Sequence, residues 1–599
     1  MDLRDIQYNK QNFSTALSLS ADAGWTQQNY AQSDPLSGNS IASWLLGTPS
    51  GGSSGYSLLG VYQEHYYAPW IQDDWRVNKR LTLNLGFRWD FNVPPYERFN
   101  RLDRGFDPAA ASPGYPGITG GLLFAGVNGQ SRNAANTYKK ALQPRAGFAY
   151  RISDKLVMRG GWGRYYLNPS NNYIQSSGFN ASTPLVSSND GGRTPVPNLI
   201  SNPFPSGLLL PAGSALGPLT FAGQGLTVVN PKFILPNMDQ FSFGFQYELP
   251  GHSRIDASYV GSRGNNLESA QSINSIPLSL RQQCDAWEGG IAATCQALIT
   301  NPFYQLAPFN GTSYYSSPTL ARSTLAAPYP QFGGITLDDA NANLSWYNSA
   351  QVSYEVRAKN GLTLVANWTL SKQIYQNAYN DIQKLVPERS IYQYDQPESI
   401  KATAVYELPF GRGKRFLNTS SRIFSRLVGG WETNVLFGYH SGIPWKLPSN
   451  FIYVKEGKLP NINWNSPVVQ VVQPCVAQWN TNGTITMQSF STKAGCSDYN
   501  FLSEPLFAPA AEPAFSGQIR TMSIPNADVS LNKTTRITER TSVQFRAEVF
   551  NVTNTFNFYQ SQPNSTLTSS SFGTVNKANV SNSNGNQPRY IQLSVKFNF

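Results

Sequence analysis

Leu81-Thr82-Leu83-Asn84-Leu85-Gly86-Phe87-Arg88-Trp89-Asp90-Phe91 alternates without a break. In an extended chain Leu81, Leu83, Leu85, Phe87, Trp89 and Phe91 share one face, and Thr82, Asn84, Gly86, Arg88 and Asp90 share the other. One face suits hydrocarbon and the other suits water. About 10 residues rising about 3.3 Å each, tilted near 45°, span about 23 Å, close to the apolar band of a barrel in an outer membrane. The stretch reads as one crossing of a membrane by a strand.

The same unit recurs along the chain. Tyr66 to Val77 leads through Asn78-Lys79 into Leu81, and Gln143 to Ile152 returns through Ser153-Asp154 into Lys155 to Tyr166. Gln240 to Leu249, with Phe241, Phe243, Phe245 and Tyr247 alternating, turns at Pro250-Gly251 into Ser253 to Gly261. Val352, Tyr354, Val356 and Ala358 run into Asn360-Gly361, a strong short hairpin signal, and return as Leu362, Leu364, Ala366, Trp368 and Leu370. Lys401 to Leu408, Gly430 to His440, Ala527 to Thr535, Thr541 to Val552 and Arg589 to Phe599 complete the series, the Thr538-Glu539 turn joining one pair. A first strand near Phe13 to Ser20 brings the number to fourteen, an even count that leaves both termini on one side, and Tyr56 to Tyr62 is a candidate for one more.

Tight turns alternate with long irregular segments, among them residues 92 to 142, 167 to 239 and 263 to 344, of 51, 73 and 82 residues. Structureless loops beyond about 12 to 15 residues are uncommon in compact soluble domains. Outer-membrane barrels combine short periplasmic turns with longer extracellular loops. The expected fold is therefore all-β, a transmembrane antiparallel outer-membrane β-barrel formed by residues 1 to 599 as one domain.

Composition agrees with that reading. Charged residues make up 14% of the 599, against roughly 25% in soluble domains, while Phe, Trp and Tyr reach 13%. No run of about 18 apolar residues exists to form a helical span. Alternating strands average out, as the mean hydropathy of −0.35 requires. The net charge of +11 has no Lys/Arg run of five or more to focus it on nucleic acid, so lipid head groups or a lumen are the expected surroundings of the basic residues. Met1-Asp2-Leu3-Arg4-Asp5-Ile6 is acidic and leads into no apolar core of a signal peptide, so the expectation is a fragment or a start farther upstream.

Candidate chemistry is sparse. Cys284 with Cys295 and Cys475 with Cys496 form two locally spaced pairs, neither of Cys-x-x-Cys form; loop disulfides suit an oxidising compartment, and free thiols are the alternative in a cytosolic protein. Gly51-Gly52-Ser53-Ser54-Gly55 matches G-x-S-x-G but lacks the strand before and helix after that a nucleophile elbow needs, so it reads as a flexible loop. His65, His252 and His440 show no metal-ligand spacing, and Gly411-Arg412-Gly413-Lys414-Arg415 lacks the Ser/Thr of a phosphate loop and reads as a basic periplasmic turn. No catalytic, metal or cofactor residue is expected. Trp70, Trp75, Trp89, Trp162 and Trp368 lie in or near strand ends, where interfacial girdles place aromatics; sugar stacking is the sharper alternative.

Seven motifs, in order, resemble the barrel half of Oar-like TonB-dependent transporters. They are Ile41-Ala42-Ser43-Trp44-Leu45-Leu46-Gly47, Gln72-Asp73-Asp74-Trp75-Arg76-Val77 running into Leu81-Thr82-Leu83-Asn84-Leu85-Gly86, and Pro144-Arg145-Ala146-Gly147-Phe148-Ala149-Tyr150. Tyr347-Asn348-Ser349-Ala350-Gln351-Val352, Glu407-Leu408-Pro409-Phe410-Gly411-Arg412-Gly413-Lys414, Phe545-Arg546-Ala547-Glu548-Val549-Phe550-Asn551 and Pro588-Arg589-Tyr590-Ile591-Gln592-Leu593 follow. The resemblance implies a large barrel holding an N-terminal plug, energised through TonB and often preceded by a carboxypeptidase-regulatory-like domain. It starts inside the barrel region, so the plug, the TonB-contacting segment, the leading domain and the first strands are expected to lie outside these residues. Ile591, Leu593, Val595, Phe597 and Phe599 alternate to the terminal aromatic and resemble the signal by which the barrel-assembly machinery recognises such proteins.

The function implied by the resemblance is uptake of a bulky nutrient across the outer membrane of a Gram-negative-type bacterium. Lipid and lipopolysaccharide are the expected surroundings, the TonB system a partner through the missing segment, and nucleic acid no partner. The alternatives are a passive or adhesive barrel and, least favoured, a barrel-embedded hydrolase. No substrate-binding residue follows from any motif.

Overall fold

In the computed structural model the alternating stretches pair into one antiparallel sheet. The structure describes all residues except 11–15, 29–36, 113–114, 116, 168–173, 189–193, 198, 339, 360, 382, 384–385, 419–420, 450, 456–460, 511–512, 557, 559–561 and 577–587. Among the described residues fourteen strands lie side by side in chain order. They are β1 (Asp2–Lys10), β2 (Gly60–Ala68, continued as Trp70–Arg76), β3 (Leu81–Glu97), β4 (Tyr138–Arg151), β5 (Leu156–Tyr166), β6 (Asn237–Leu249) and β7 (Ser253–Leu267). Then come β8 (Asn343–Arg357), β9 (Leu362–Asp381), β10 (Glu398–Glu407), β11 (Trp431–His440), β12 (Ile524–Arg536), β13 (Ser542–Phe550) and β14 (Tyr590–Asn598). A further strand, Val386–Ile391, pairs with the upper part of β9. Among the described residues no ladder joins β14 to β1.

Two readings of the sequence need correction here. The first wall strand is Asp2–Lys10, not Phe13 to Ser20: residues 11–15 lie outside the described residues, and Ser18–Ser20 pairs with Gly51–Ser57 in a small separate sheet. β1 escapes the alternation test because the set that shares its face with Phe91 is Leu3, Asp5, Gln7 and Asn9, one apolar residue in four. Gly51–Ser57 is likewise an ordered strand and not a flexible loop, held between Ser18–Ser20 and Asn180–Pro184. Tyr56 to Tyr62 straddles the end of that strand and the start of β2.

The register fixes two faces. Leu85 pairs with Ala146, Ala146 with Trp162, Trp162 with Phe241 and Phe241 with Gly261, so this row and its alternates form an outward apolar face. Leu85, Phe87, Phe243 and Phe245 are exposed there. The intervening row carries Asn84, Gly147, Gly161 and Ser242 and faces the interior of the wall. Pro69 interrupts β2 only as a donor: it lacks an N–H, but the register with β3 continues across it and Trp89 N–H donates to its carbonyl at 3.0 Å. That continuity pairs Trp70 with Arg88 and turns it inward, so of the five tryptophans expected in a girdle Trp75, Trp89, Trp162 and Trp368 stand in outward rows and Trp70 does not.

Five of the connections at one end are short turns. His252 takes a positive φ of 58° in the Pro250-Gly251 turn, and Gly361 one of 89° in the turn after β8, whose Asn360 lies outside the described residues. The exception is the segment from Leu408 to Gly430 between β10 and β11, which is no tight turn but contains the helix Arg422–Val428.

At the opposite end the long segments build a layer of their own. Trp445, Phe451, Val471, Val472, Val476, Phe501, Phe558 and Phe572 form one buried core. Leu122, Phe124, Val228, Phe332 and Ile335, from three different loops, form another. Leu226–Val229 and Ile335–Asp338 pair in parallel across that second core.

Candidate functional site

A residue facing the inside of the wall has no hydrocarbon beside it, so polar side chains can occupy every second position there. The strands bring these positions together over β2 to β8. Gln72, Asn84, Gly86, Arg145, Gly147 and Gly161 open a recess of about 600 Å³, closed on its far side by Gly163, Tyr165, Gln240, Ser242, Ser262 and Tyr347. The Arg145 guanidinium lies 4.6 Å from the centre of the Tyr165 ring, which holds a cation at the recess beside an aromatic face. Gly86, Gly147, Gly161, Gly163, Ser242 and Ser262 put little or no side chain into the recess, and that helps to leave it open.

Toward the loop end, the inner face carries a second recess of about 480 Å³, lined by Leu267, Ser345, Gln373, Tyr375, Glu388, Tyr392 and Phe515. Tyr375 and Tyr392 meet edge to face with centroids 6.4 Å apart, and Asn343 Nδ2 donates to the Tyr375 hydroxyl at 2.6 Å. On the first three strands of the wall the inner charges are paired off. Arg88 contacts Asp90 at 2.8 Å and Asp2 at 3.5 Å and donates to the Tyr66 hydroxyl at 2.7 Å. Such an inner surface can hold a polar solute by hydrogen bonds, ring faces and one arginine.

The loop layer is clamped to the wall by buried ion pairs. Arg281, on the short helix Leu278–Gln282, makes a two-pronged contact with Asp381 at the upper end of β9, at 2.9 and 3.1 Å, with both side chains over nine-tenths buried. Arg520 contacts Asp395 at 2.7 Å. Asp103 is fully buried beneath the loops; Ser177 N–H donates to its Oδ2 at 3.1 Å while Oδ1 has no partner, and burial pushes its carboxyl up to about 7.

The residues singled out from sequence fall in three places. Cys284 and Cys295, with Cα atoms 5.8 Å apart, and Cys475 and Cys496, 5.6 Å apart, are disulfide-bonded within the loop layer. Ile591, Leu593, Val595 and Phe597 line the outward face of β14, and Phe599 is fully exposed beyond it. Ser53 sits inside the strand Gly51–Ser57, paired with Ser18 and Pro184, and not on a strand-to-helix turn. His65 and His440 lie on strands near the loop end and His252 at the turn end. Among the described residues no three His, Cys, Asp or Glu side chains gather as a metal cluster. Arg145, Tyr165, Gln240 and Tyr347 were not singled out as site residues. Their alternation marked the inner face, but which polar positions meet depends on strand register.

The model of the outer membrane beta barrel domain matches residues 1–592, and that match decides the family. The chain belongs to the outer-membrane β-barrel family. It lies in the outer membrane, its apolar face toward lipid. Among curated proteins none matches it. Solved structures similar to it include the outer membrane transporter YddB from Escherichia coli, 11% identical over 92% of this chain and 47% of that one, with a TM-score of 0.40. The ferripyoverdine receptor of the outer membrane of Pseudomonas aeruginosa is 8% identical over 92% and 40%, with a TM-score of 0.34. The copper transporter OprC is 9% identical over 92% and 48%, with a TM-score of 0.33. This outer-membrane barrel chain thus spans less than half the length of these proteins.

Proposed function

We propose that the chain forms the conducting barrel of a TonB-dependent transporter that takes up a bulky nutrient and has no enzymatic activity of its own. The observation that carries the reading is the series of seven motifs, which resemble that family in order from Ile41 to Leu593. The paired recesses on the inner face support it, since they give a polar solute successive places to rest between the loop layer and the turn end. On this reading the loops are extracellular and meet lipopolysaccharide, the turns are periplasmic, and the terminal strand β14 engages the barrel-assembly machinery. The test is uptake of size-graded fluorescent solutes by cells displaying this barrel joined to an upstream plug and TonB-contacting segment, with and without an intact TonB system, together with bilayer conductance of the purified protein. Uptake that collapses without TonB is the expected result. Steady conductance with no dependence on TonB would replace this reading with a passive barrel.

A further inference from the structure

The segment between β10 and β11 was read from sequence only as a basic turn, and the structure gives it a second character. Ser421 caps the helix Arg422–Val428, its Oγ accepting from Phe424 N–H at 3.3 Å, and Gly429 N–H closes the other end on Ser425 O. Ile423, Phe424 and Leu427 stand at i, i+1 and i+4 and so share one face of the helix. That face is bare: Ile423 is 76% exposed and Leu427 64%. Phe416 and Leu417, just before the helix, are also exposed. Water is the wrong medium for five such side chains in one short segment.

Register shows which side of the wall the helix occupies. Trp431 pairs with Lys533 and Lys533 with Phe545, all in the outward row. Trp431 Nε1 donates to Leu427 O at 3.3 Å, and Lys533 Nζ donates to Leu427 O at 2.8 Å and Gly429 O at 2.6 Å. The helix C-terminus is therefore fastened to outward-facing side chains by a cation that also suits its dipole. The bare face continues the lipid-facing wall beyond the last row of the strands. From Pro409 to Gly430 the sequence holds five basic residues and no acidic one; Lys414 is taken up by Glu407 at 3.0 Å, so the charges offered to lipid are those of Arg412, Arg415 and Arg426. An apolar face with basic residues around it, at the edge of a bilayer, is the pattern of a helix lying in the head-group plane of anionic lipid.

We infer that the helix Arg422–Val428, with the basic stretch Arg412–Arg415 before it, forms an interfacial anchor: Ile423, Phe424 and Leu427 enter the acyl boundary of the adjoining leaflet, and Arg412, Arg415 and Arg426 bind anionic glycerophospholipid head groups. The assignment of that leaflet to the periplasmic side rests on the orientation given above, whereas burial in lipid does not. The test uses the full chain in liposomes, with Leu427→Cys as the only free thiol, carrying an environment-sensitive fluorophore. Leu85→Cys on the outward wall and Asn84→Cys on the inner wall serve as references, and heat-modifiable gel mobility confirms that each variant has folded. Lipids brominated near the head-group end of the acyl chains are expected to quench the label at 427, with loss of quenching by aqueous iodide, as lipids brominated near the chain ends are expected to quench it at 85. Quenching by iodide and not by bromolipid, or by neither, overturns the anchor; the first outcome means a helix in water and the second one covered by protein. Adding phosphatidylglycerol to phosphatidylethanolamine liposomes is expected to deepen bromolipid quenching, and Arg412→Gln, Arg415→Gln and Arg426→Gln together are expected to abolish that gain. A gain that survives all three substitutions overturns the head-group part. Failure of TonB-dependent uptake would leave each of these readouts unchanged.

Discussion

Leu593 and Phe597 on β14 are 67% and 64% exposed, whereas Trp445 and Phe501 in the loop layer are completely buried. The two regions use the same kinds of side chain and turn them opposite ways. In the wall the surrounding medium is hydrocarbon, apolar side chains turn toward it at alternate positions, and stability comes from ladders of backbone hydrogen bonds between neighbouring strands. In the loop layer the medium is water, so aromatic and β-branched residues withdraw together and polar contacts such as Arg281 with Asp381 hold the layer down. The same substitution should therefore have opposite consequences on either side of the boundary.

The largest contrast is expected from Trp445→Ala. Trp445 packs against Phe501 and Phe572 and its Nε1 donates to Pro563 O at 3.1 Å, so the loop layer should lose about 3–5 kcal/mol while the wall keeps its strand signal. Hydrogen exchange resolved by segment checks this; uniform loss of protection in both regions would contradict their independence. Next, Leu85→Arg on the outward row should cost about 2–4 kcal/mol, the value for a cation at the bilayer midplane, whereas Asn84→Arg should be tolerated inside. Urea titrations of protein refolded into lipid would measure both, and equal effects would break the assignment of faces.

Third, Cys475→Ser with Cys496→Ser should loosen the loop layer by about 3 kcal/mol in chain-entropy terms and leave the wall untouched. Mass mapping without reductant should find Cys284 joined to Cys295 and Cys475 to Cys496; four alkylated thiols in exported protein would refute both bonds. The smallest effect concerns Asp103, whose raised carboxyl favours the folded loops when protonated. That stability is fully present below the ordinary aspartate range near pH 4, declines as pH rises, and is lost above about 7. Asp103→Asn should accordingly stabilise the loop layer at pH 8 by about 1–3 kcal/mol and do little at pH 4. Proteolysis rates of the loops at the two pH values would show it, and an equal effect at both would remove Asp103 from the account.

The wall was legible in the sequence because the outward face of each lipid-crossing strand is a local, period-two statement. Leu81 to Phe91, Phe241 to Tyr247 and Leu362 to Leu370 each declare themselves without knowledge of their neighbours. Where the outward set holds only one apolar residue in four the statement lapses, as in β1, and the strand was placed at the wrong residues. Trp70 was given to the wrong face because it was placed by its position near strand ends, while the ladder, running on through Pro69, pairs it with Arg88 on the inner face. Of the loop layer only the two local cysteine pairs were legible. Gly51–Ser57 is poor in side chains that signal burial, and its partners lie at Ser18–Ser20 and Asn180–Pro184. The recess at Arg145 and Tyr165 was half legible: its polarity could be read strand by strand, its assembly only across them.

The spacing of partners also sets an order of events during folding. Each wall ladder joins strands that follow one another in the chain, and five of them close over turns of a few residues, so these hairpins can form early and independently. The loop layer has no such local start. Val468–Gln470 pairs with Thr574–Asn576, and Gln331 Nε2 donates to Thr119 O across 212 positions, contacts that need strands between them to be in place first. The two disulfides, spanning only 11 and 21 positions, impose no contrary order, since each closes within a single loop. The part that meets the outside world is thus the last to be finished, and the wall can be complete while the loops above it are still choosing their partners.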